Sequence, residues 1–328
     1  MSGASQILRP CFFTMLPKST DGKERLPVDV YTLIECQTVK EFWEILSPEN
    51  QRWSGLGPVV YRGQANAQWG LVPSVLRESS LVRKMIPGFL LKTDLQLFGE
   101  MQLLRFFSDY CDSMGLRIPG DSIKLRQSLD TNTRYGDVFL RHPSRWPTEN
   151  AIYLMALAQH HKLHTRLLDW TQRSYVAAYF AAAEAMRTDC GWKEKENAAL
   201  AVWALNIHGM LGMSPDDDGP MGSLYPNITI VRAPGAVSPN LAAQGGLFTL
   251  LRERGNAKGE VLSRTLEDEF KGMPKSPLVK IALKAAHAPD IMELCKKYSV
   301  NAATLFPGYD GAALAVSEAI ACMPSMPA

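Results

Sequence analysis

From Val28 onward the apolar and polar positions fall into recognisable periods. Val28, Val30 and Leu33 suggest a short strand. Thr38-Val39-Lys40-Glu41 has the spacing of a capping box, in which the threonine hydroxyl accepts from the first turn and the glutamate reaches back. Phe42, Ile45 and Leu46 supply the apolar side of that helix. Pro58 to Gly63 reads as a strand ending in a turn. Between Leu95 and Met114, the residues Phe98, Met101, Leu104, Phe107 and Cys111 recur at steps of three or four, which predicts a long amphipathic helix. Asp121 to Pro147 is polar, with Arg126, Arg134, Arg141 and Arg145 among acids. Thr148 then caps a helix through Ile152, Met155 and Leu157 towards Gln159 and His160. A second helix, from about Ser174 to Met186, is built on Val176, Tyr179, Phe180 and alanines.

The second half is richer in strands. Ala199 to Leu205, Ile228 to Val231 and Leu247 to Leu251 are short β-like runs. Val279, Ile281 and Leu283 alternate with Lys280, Ala282 and Lys284, the pattern of a half-exposed strand. Pro289 to Lys297 and Ala312 to Ile320 read as closing helices. Helices dominate residues 38 to 186 and strands follow, so the class is α+β. Residues 1–27, with Pro10, Pro17, Gly22 and Pro27, read as an arm. Residues 28–328 read as one domain with a helix-rich insertion at about 79–147, without internal repeats.

Composition narrows the function classes. Of 328 residues, 46% are hydrophobic and seven are tryptophan, which excludes intrinsic disorder. No apolar run reaches the ~18–20 residues a membrane-spanning helix needs, and the first residues lack the pattern of a secretory signal; a cytoplasmic location is expected. Thirty-five basic against thirty-three acidic residues leave a net charge of +2. That excludes a global nucleic-acid footprint but leaves room for a local groove. The six cysteines include no Cys-x-x-Cys pair and read as reduced thiols.

Two segments carry candidate chemistry. Tyr61-Arg62-Gly63-Gln64, followed by Trp69, Leu71, Pro73, Ser74 and Arg77, sets an arginine and a glycine at the end of an apolar strand. A guanidinium fork grips phosphate, and a missing Cβ lets an anion approach the backbone; a structural arginine with a turn glycine has the same appearance. The second segment runs from Gln159-His160-His161 through His164-Thr165-Arg166 to Asp169-Trp170-Thr171. His160 and His164 stand four apart, but His161 occupies the place where a zinc protease has glutamate. Arg166 and Asp169 could instead neutralise one another in a buried polar network. Gly-x-Ser-x-Gly, phosphate-loop and dinucleotide fingerprints are absent. Asp216-Asp217-Asp218 lies in a Pro/Gly loop, where acids are more often solvated than metal-bound. No metal is expected.

These blocks, with Val176 to Ala181, Gln244-Gly245-Gly246-Leu247-Phe248-Thr249 and Leu305-Phe306-Pro307-Gly308 with Gly311, resemble the motifs of the FRG domain family in their order. The resemblance runs from about Phe42 to Ile320. Departures are Tyr61 for phenylalanine, His161 for tyrosine, His164 for proline, and a long segment between Leu205 and Gln244. The motif order is in turn similar to a divergent ADP-ribosyltransferase, which implies a split, mostly antiparallel sheet with flanking helices and NAD as co-substrate. The implied ligand-binding residues are Arg62, Gly63, Gln64, His160, Arg166, Trp170 and Thr171. The implied catalytic residues are Arg62, Asp169, Thr171 and Gln244, the last on a late strand, with Asp169 and then Glu260 as candidate carboxylates. The expected acceptor is a macromolecule, RNA rather than protein, because Arg141, Arg145, Lys162, Arg166 and Arg173 interleave with histidines and Trp170. A toxin-like or phage-defence role with a neutralising partner follows, the partner touching the arm or the loop from Gly209 to Pro226. The other classes left open are a non-catalytic phosphate- or nucleotide-binding module and a nuclease using His160, His161 or His164.

Overall fold

A computed structural model describes residues 30–86, 93–187, 198–210, 225, 227–232, 239–253 and 265–322. In chain order it begins with β1 (Thr32–Cys36), α1 (Val39–Leu46), β2 (Val59–Gln64) and α2 (Leu81–Met85). There follow α3 (Thr93–Ser113), α4 (Ile123–Leu129), α5 (Arg134–Arg141), α6 (Glu149–His160), β3 (Leu167–Thr171) and α7 (Ser174–Arg187). The remainder is β4 (Ala199–Asn206), β5 (Ile228–Val231), α8 (Pro239–Gln244), β6 (Gly246–Leu251), β7 (Leu278–Lys284), α9 (Ala288–Lys297), α10 (Ala302–Leu305) and α11 (Tyr309–Ala321). This is an α+β chain. Among the described strand pairs whose register is defined, only β1 with β7 is parallel.

The chain divides into two compact units, and each is discontinuous in sequence. The first comprises Met1–Trp69, Thr171–His208 and Glu267–Ala328. In it β1 pairs with β7, β7 with β4, and β4 with β2, while Tyr61 of β2 pairs with Thr171, the last residue of β3. Tyr61, Val202, Ala204, Ile281 and Leu283 face a core shared with Ala177, Ala178, Ala181 and Ala182 of α7 and Ile291 of α9. Phe42 and Leu46 of α1 are fully enclosed there, each burial contributing roughly 1.5–3 kcal/mol. Thr38 caps α1 as expected, its Oγ1 accepting from Glu41 N at 3.2 Å. The Glu41 carboxylate reaches one residue further back than a capping box requires, accepting from Gln37 N at 2.9 Å.

Of the strand read over Val28 to Leu33, Val28 and Asp29 lie outside the described residues; among the described ones β1 starts at Thr32, its register set by parallel pairing from Thr32↔Val279 to Cys36↔Leu283. β7 is not half-exposed either. It is paired on both edges, and Lys280, which suggested an exposed face, is only 6% exposed.

The second unit comprises Gly70–Trp170 and Gly209–Leu266. Its core joins Leu97, Met101 and Leu104 of α3, Trp146 just before α6, Ile152 and Met155 of α6, and Phe248 and Leu250 of β6. The polar stretch 121–147 folds into α4 and α5. Ser122 caps α4 by accepting from Leu125 N at 3.2 Å, and Thr133 caps α5 by accepting from Gly136 N at 3.2 Å. Arg126 is held by Asp112 and Asp121 at 2.8 and 2.7 Å. Thr148 caps α6 as predicted, its Oγ1 accepting from Ala151 N at 3.3 Å. Among the described residues no helix is long and apolar enough to cross a membrane. The arm, the acidic loop at 216–218, Glu260, and the Gly209–Pro226 loop beyond Met210, apart from Tyr225, lie outside the described residues.

Candidate functional site

Arg62 lies inside β2, and the register places it opposite Trp203 of β4, which is itself opposite Lys280 of β7. Directly opposed residues share a sheet face, so the three side chains form a cross-strand row of cation, indole and cation. Lys280 Nζ sits 4.4 Å from the centre of the Trp203 ring and 5.2 Å from that of Tyr31. Tyr31 packs edge-on against Trp203 with ring centres 4.9 Å apart. Gln64, two residues beyond Arg62 and on the same face, accepts at Oε1 from Trp203 Nε1 at 2.7 Å.

Gly63 differs from its expected role. It stands within the strand rather than in a turn, and its missing Cβ points at α7. A Cβ there would lie 2.0 Å from Ala177 O and 2.6 Å from Ala181 N. The glycine thus permits close approach of helix and strand, on the face opposite Arg62. Thr171 shares the face of Tyr61, its register partner. Its Oγ1 accepts from Arg173 N at 3.0 Å and shapes the turn from β3 into α7. A hydroxyl-bearing strand feeding a helix, as the resemblance implied, is present in that form.

The remaining predicted residues belong to the second unit. Ser74 and Thr165, from the first two motif blocks, meet there: Thr165 N donates to Ser74 Oγ at 3.0 Å, and Ser74 Oγ donates to Thr165 O at 3.2 Å. Thr165 Oγ1 also donates to Gln159 Oε1, and Gln159 Nε2 donates to Asp169 Oδ1 at 2.7 Å. This chain orients the exposed Asp169 carboxylate from the end of α6.

Arg166 is not paired with Asp169. It is 1% exposed and gripped by Glu100 through Nε at 2.6 Å and by Glu253 through Nη1 at 3.2 Å. Burial alone would depress its pKa, yet the two carboxylates hold it above the ordinary arginine value. Glu100 further accepts from Gln96 Nε2 at 2.8 Å and from Trp146 Nε1 at 3.3 Å. Arg166 is therefore a structural cation of the interior. Trp170 is buried too, donating from Nε1 to Thr249 Oγ1 at 3.0 Å. Neither residue contributes to an exposed surface on which a single strand could stack, and Arg141 is paired with Asp137 at 2.6 Å.

The histidines have separate duties. His160 ends α6 and meets His161 edge-on at 5.1 Å; burial and then the neighbouring imidazole lower its pKa. His164 accepts at Nδ1 from Leu81 N at 3.1 Å, which ties it to the start of α2. Burial, then Arg77 and Lys84, lower its pKa. Gln244 is the last residue of α8 rather than part of a strand. Gly245 follows with φ 60, and β6 starts at Gly246. Among the described residues no group of three or more His, Cys, Asp or Glu is placed to hold a metal ion.

Sequence reading missed Trp203, Lys280, Glu100 and Glu253. Lys280 carried a faint signal as a lysine inside an apolar strand, but its neighbours across the sheet come from distant segments. Glu100 looks like any polar position of an amphipathic helix.

No curated protein and no solved structure matches the chain. The protein-family model of the FRG domain does match, over residues 57–190. That span contains Arg62 to Gln64 and the whole of Gln159 to Thr171, and it ends before Gln244 and the block at Leu305 to Gly311. Residues 57–190 of this chain are an FRG domain.

Proposed function

We propose that the chain is an NAD-dependent ADP-ribosyltransferase in which Arg62 grips the dinucleotide's pyrophosphate. The observation that carries this reading is the cross-strand row of Arg62, Trp203 and Lys280. Arg62, half-buried at one end of that row, offers a guanidinium fork to a phosphate, and the enclosed Lys280 adds positive charge behind it. Breaking the bond between nicotinamide and ribose creates an oxocarbenium-like centre. Catalysis of that step is a matter of orientation and charge placement, which fixed side chains supply.

The test is incubation of the full chain with NAD labelled in its adenylate, together with total RNA and total protein. Nicotinamide release and transfer of label, both lost in Arg62→Ala, are expected. Label in the RNA fraction identifies the proposed acceptor, and label in protein reassigns it. Toxicity on expression, relieved by a neutralising partner, would accord with the proposed toxin or phage-defence role.

A second reading, a nucleotide-binding module without turnover, is favoured by the placement of Gln244 off the strand. NAD binding without nicotinamide release would establish it. Strand cleavage without NAD, abolished by substituting His160, would establish the nuclease instead.

A further inference from the structure

The helix α11 is apolar almost all round. Besides Tyr309, its polar residues are Asp310, Ser317 and Glu318. A helix of that composition normally lies inside a core, yet Gly311 alone is buried in it. We propose that the stretch from Ile7 to Leu16 of the same chain, which lies outside the described residues, docks along the outer face of α11. This does not rest on the NAD reading.

Spacing defines the face. Leu314 and Ala315 pack against the core of the first unit. Glu318, on the same side, accepts from Tyr179 Oη at 2.8 Å. Gly311 is pressed there too, since a Cβ on it would fall 1.8 Å from Phe306 O. Tyr309, Ala312, Val316 and Ile320 follow one another at steps of three or four on the opposite side. Tyr309 is 96% exposed, Val316 60% and Ile320 61%. A single exposed apolar side chain is ordinary, but three large ones in one row with alanine between them form a continuous apolar strip.

Charge and reach select the occupant. Ile7, Leu8, Phe12, Phe13, Met15 and Leu16 give the proposed segment its apolar surface. Its charges, Arg9 within and Lys18 just beyond, are basic, and no acid stands between Ile7 and Lys18. The charges of α11 are Asp310 and Glu318, with no base. The two surfaces therefore match in sign as well as in apolarity. A second copy of α11 would instead set acid against acid, and an anionic membrane surface would repel the helix.

The segment is also tethered to the unit that carries α11. Val30 O accepts from Ser276 Oγ at 2.7 Å, just before β7. Ile34 of β1 packs against the same core as Leu314. The stretch from Leu16 to Val30 can extend to roughly 46 Å, against a radius of gyration of about 15 Å for a compact body the size of the first unit. Docking gives α11 the second apolar neighbour that its composition requires.

Replacement of Val316 by photoreactive benzoylphenylalanine in the full chain tests the proposal. Irradiation should give an adduct at monomer mass, and peptide mapping should join position 316 to residues 7–16. Phe12→Asp combined with Phe13→Asp should reduce that adduct to the unirradiated background. The same pair should raise the fluorescence of a hydrophobic dye severalfold while near-ultraviolet circular dichroism stays unchanged. Ile320→Glu, made at an exposed position, should remove the adduct from the helix side.

An adduct at dimer mass would assign the face to a second copy and overturn the proposal. An adduct mapping outside residues 7–16, no adduct at all, or one that survives either folded variant would overturn it equally. If the doubly substituted chain loses its dichroism, Ile320→Glu decides the matter.

Discussion

Gly63 shows how a residue with an obvious functional appearance can be claimed by packing. Next to an arginine, a glycine invites the reading that an anion approaches its backbone, but the space it leaves is filled by the backbone of α7. Neither Ala177 O nor Ala181 N can rotate aside as a side chain would. Gly63→Ala should therefore cost about 3 kcal/mol, at the upper end of overpacking. The urea midpoint should fall with an unchanged slope, and pyrophosphate affinity of the folded fraction should stay the same. A stable variant with weakened affinity would restore the anion reading. Arg166 illustrates the same limit of sequence reading. Its neighbour Asp169 was visible three positions away, whereas Glu100 and Glu253 approach only through the tertiary fold.

Elements with a long or well-capped apolar period were legible in the sequence: α3, α6, α7, α9 and the strands β4, β5 and β6 occur where the pattern put them. The short helices α4 and α5 were hidden because charged and polar residues break up their few apolar positions; Leu125 and Leu129 alone anchor α4 by apolar burial. β7 misled because alternation with lysine usually marks a wet face, and here Trp203 and Tyr31 accept the ammonium instead.

The start of α2 carries a pH dependence. His164 can accept from Leu81 N only while its Nδ1 is unprotonated. Its folded pKa is lowered, so its stabilising contribution is present above the ordinary histidine value of about 6.5 and is lost as pH falls through the lower folded value. His160 is shifted in the same direction and adds to the trend. Melting temperature should fall between pH 7.5 and about pH 5, and His164→Gln, which retains an acceptor but does not titrate there, should flatten part of that fall. An identical slope in the variant would show that the contact carries no such linkage.

At the scale of the whole molecule, the recognisable family segment and the physical units do not coincide. Residues 57–190 include β2 but omit β4, β7 and β1, the strands that complete its sheet in the first unit. They also omit β6, whose Phe248 and Leu250 help fill the core of the second unit. A fragment of 57–190 should accordingly show no cooperative thermal transition by circular dichroism, whereas the full chain should. A sharp transition in the fragment would mean that the family segment is self-sufficient. The candidate site was only partly readable for the same reason: Arg62 and Gln64 sit inside the motif, and what orients them arrives from elsewhere.

The wide sequence separation within the row of Arg62, Trp203 and Lys280 also sets a clock on biosynthesis. At ~5–20 residues per second, a ribosome that has added Arg62 needs roughly 10–40 s more before it adds Lys280. Throughout that interval the arginine has been made but its sheet partners have not. Whatever this face binds, a nascent or prematurely terminated chain lacks the assembled row until Lys280 has been added.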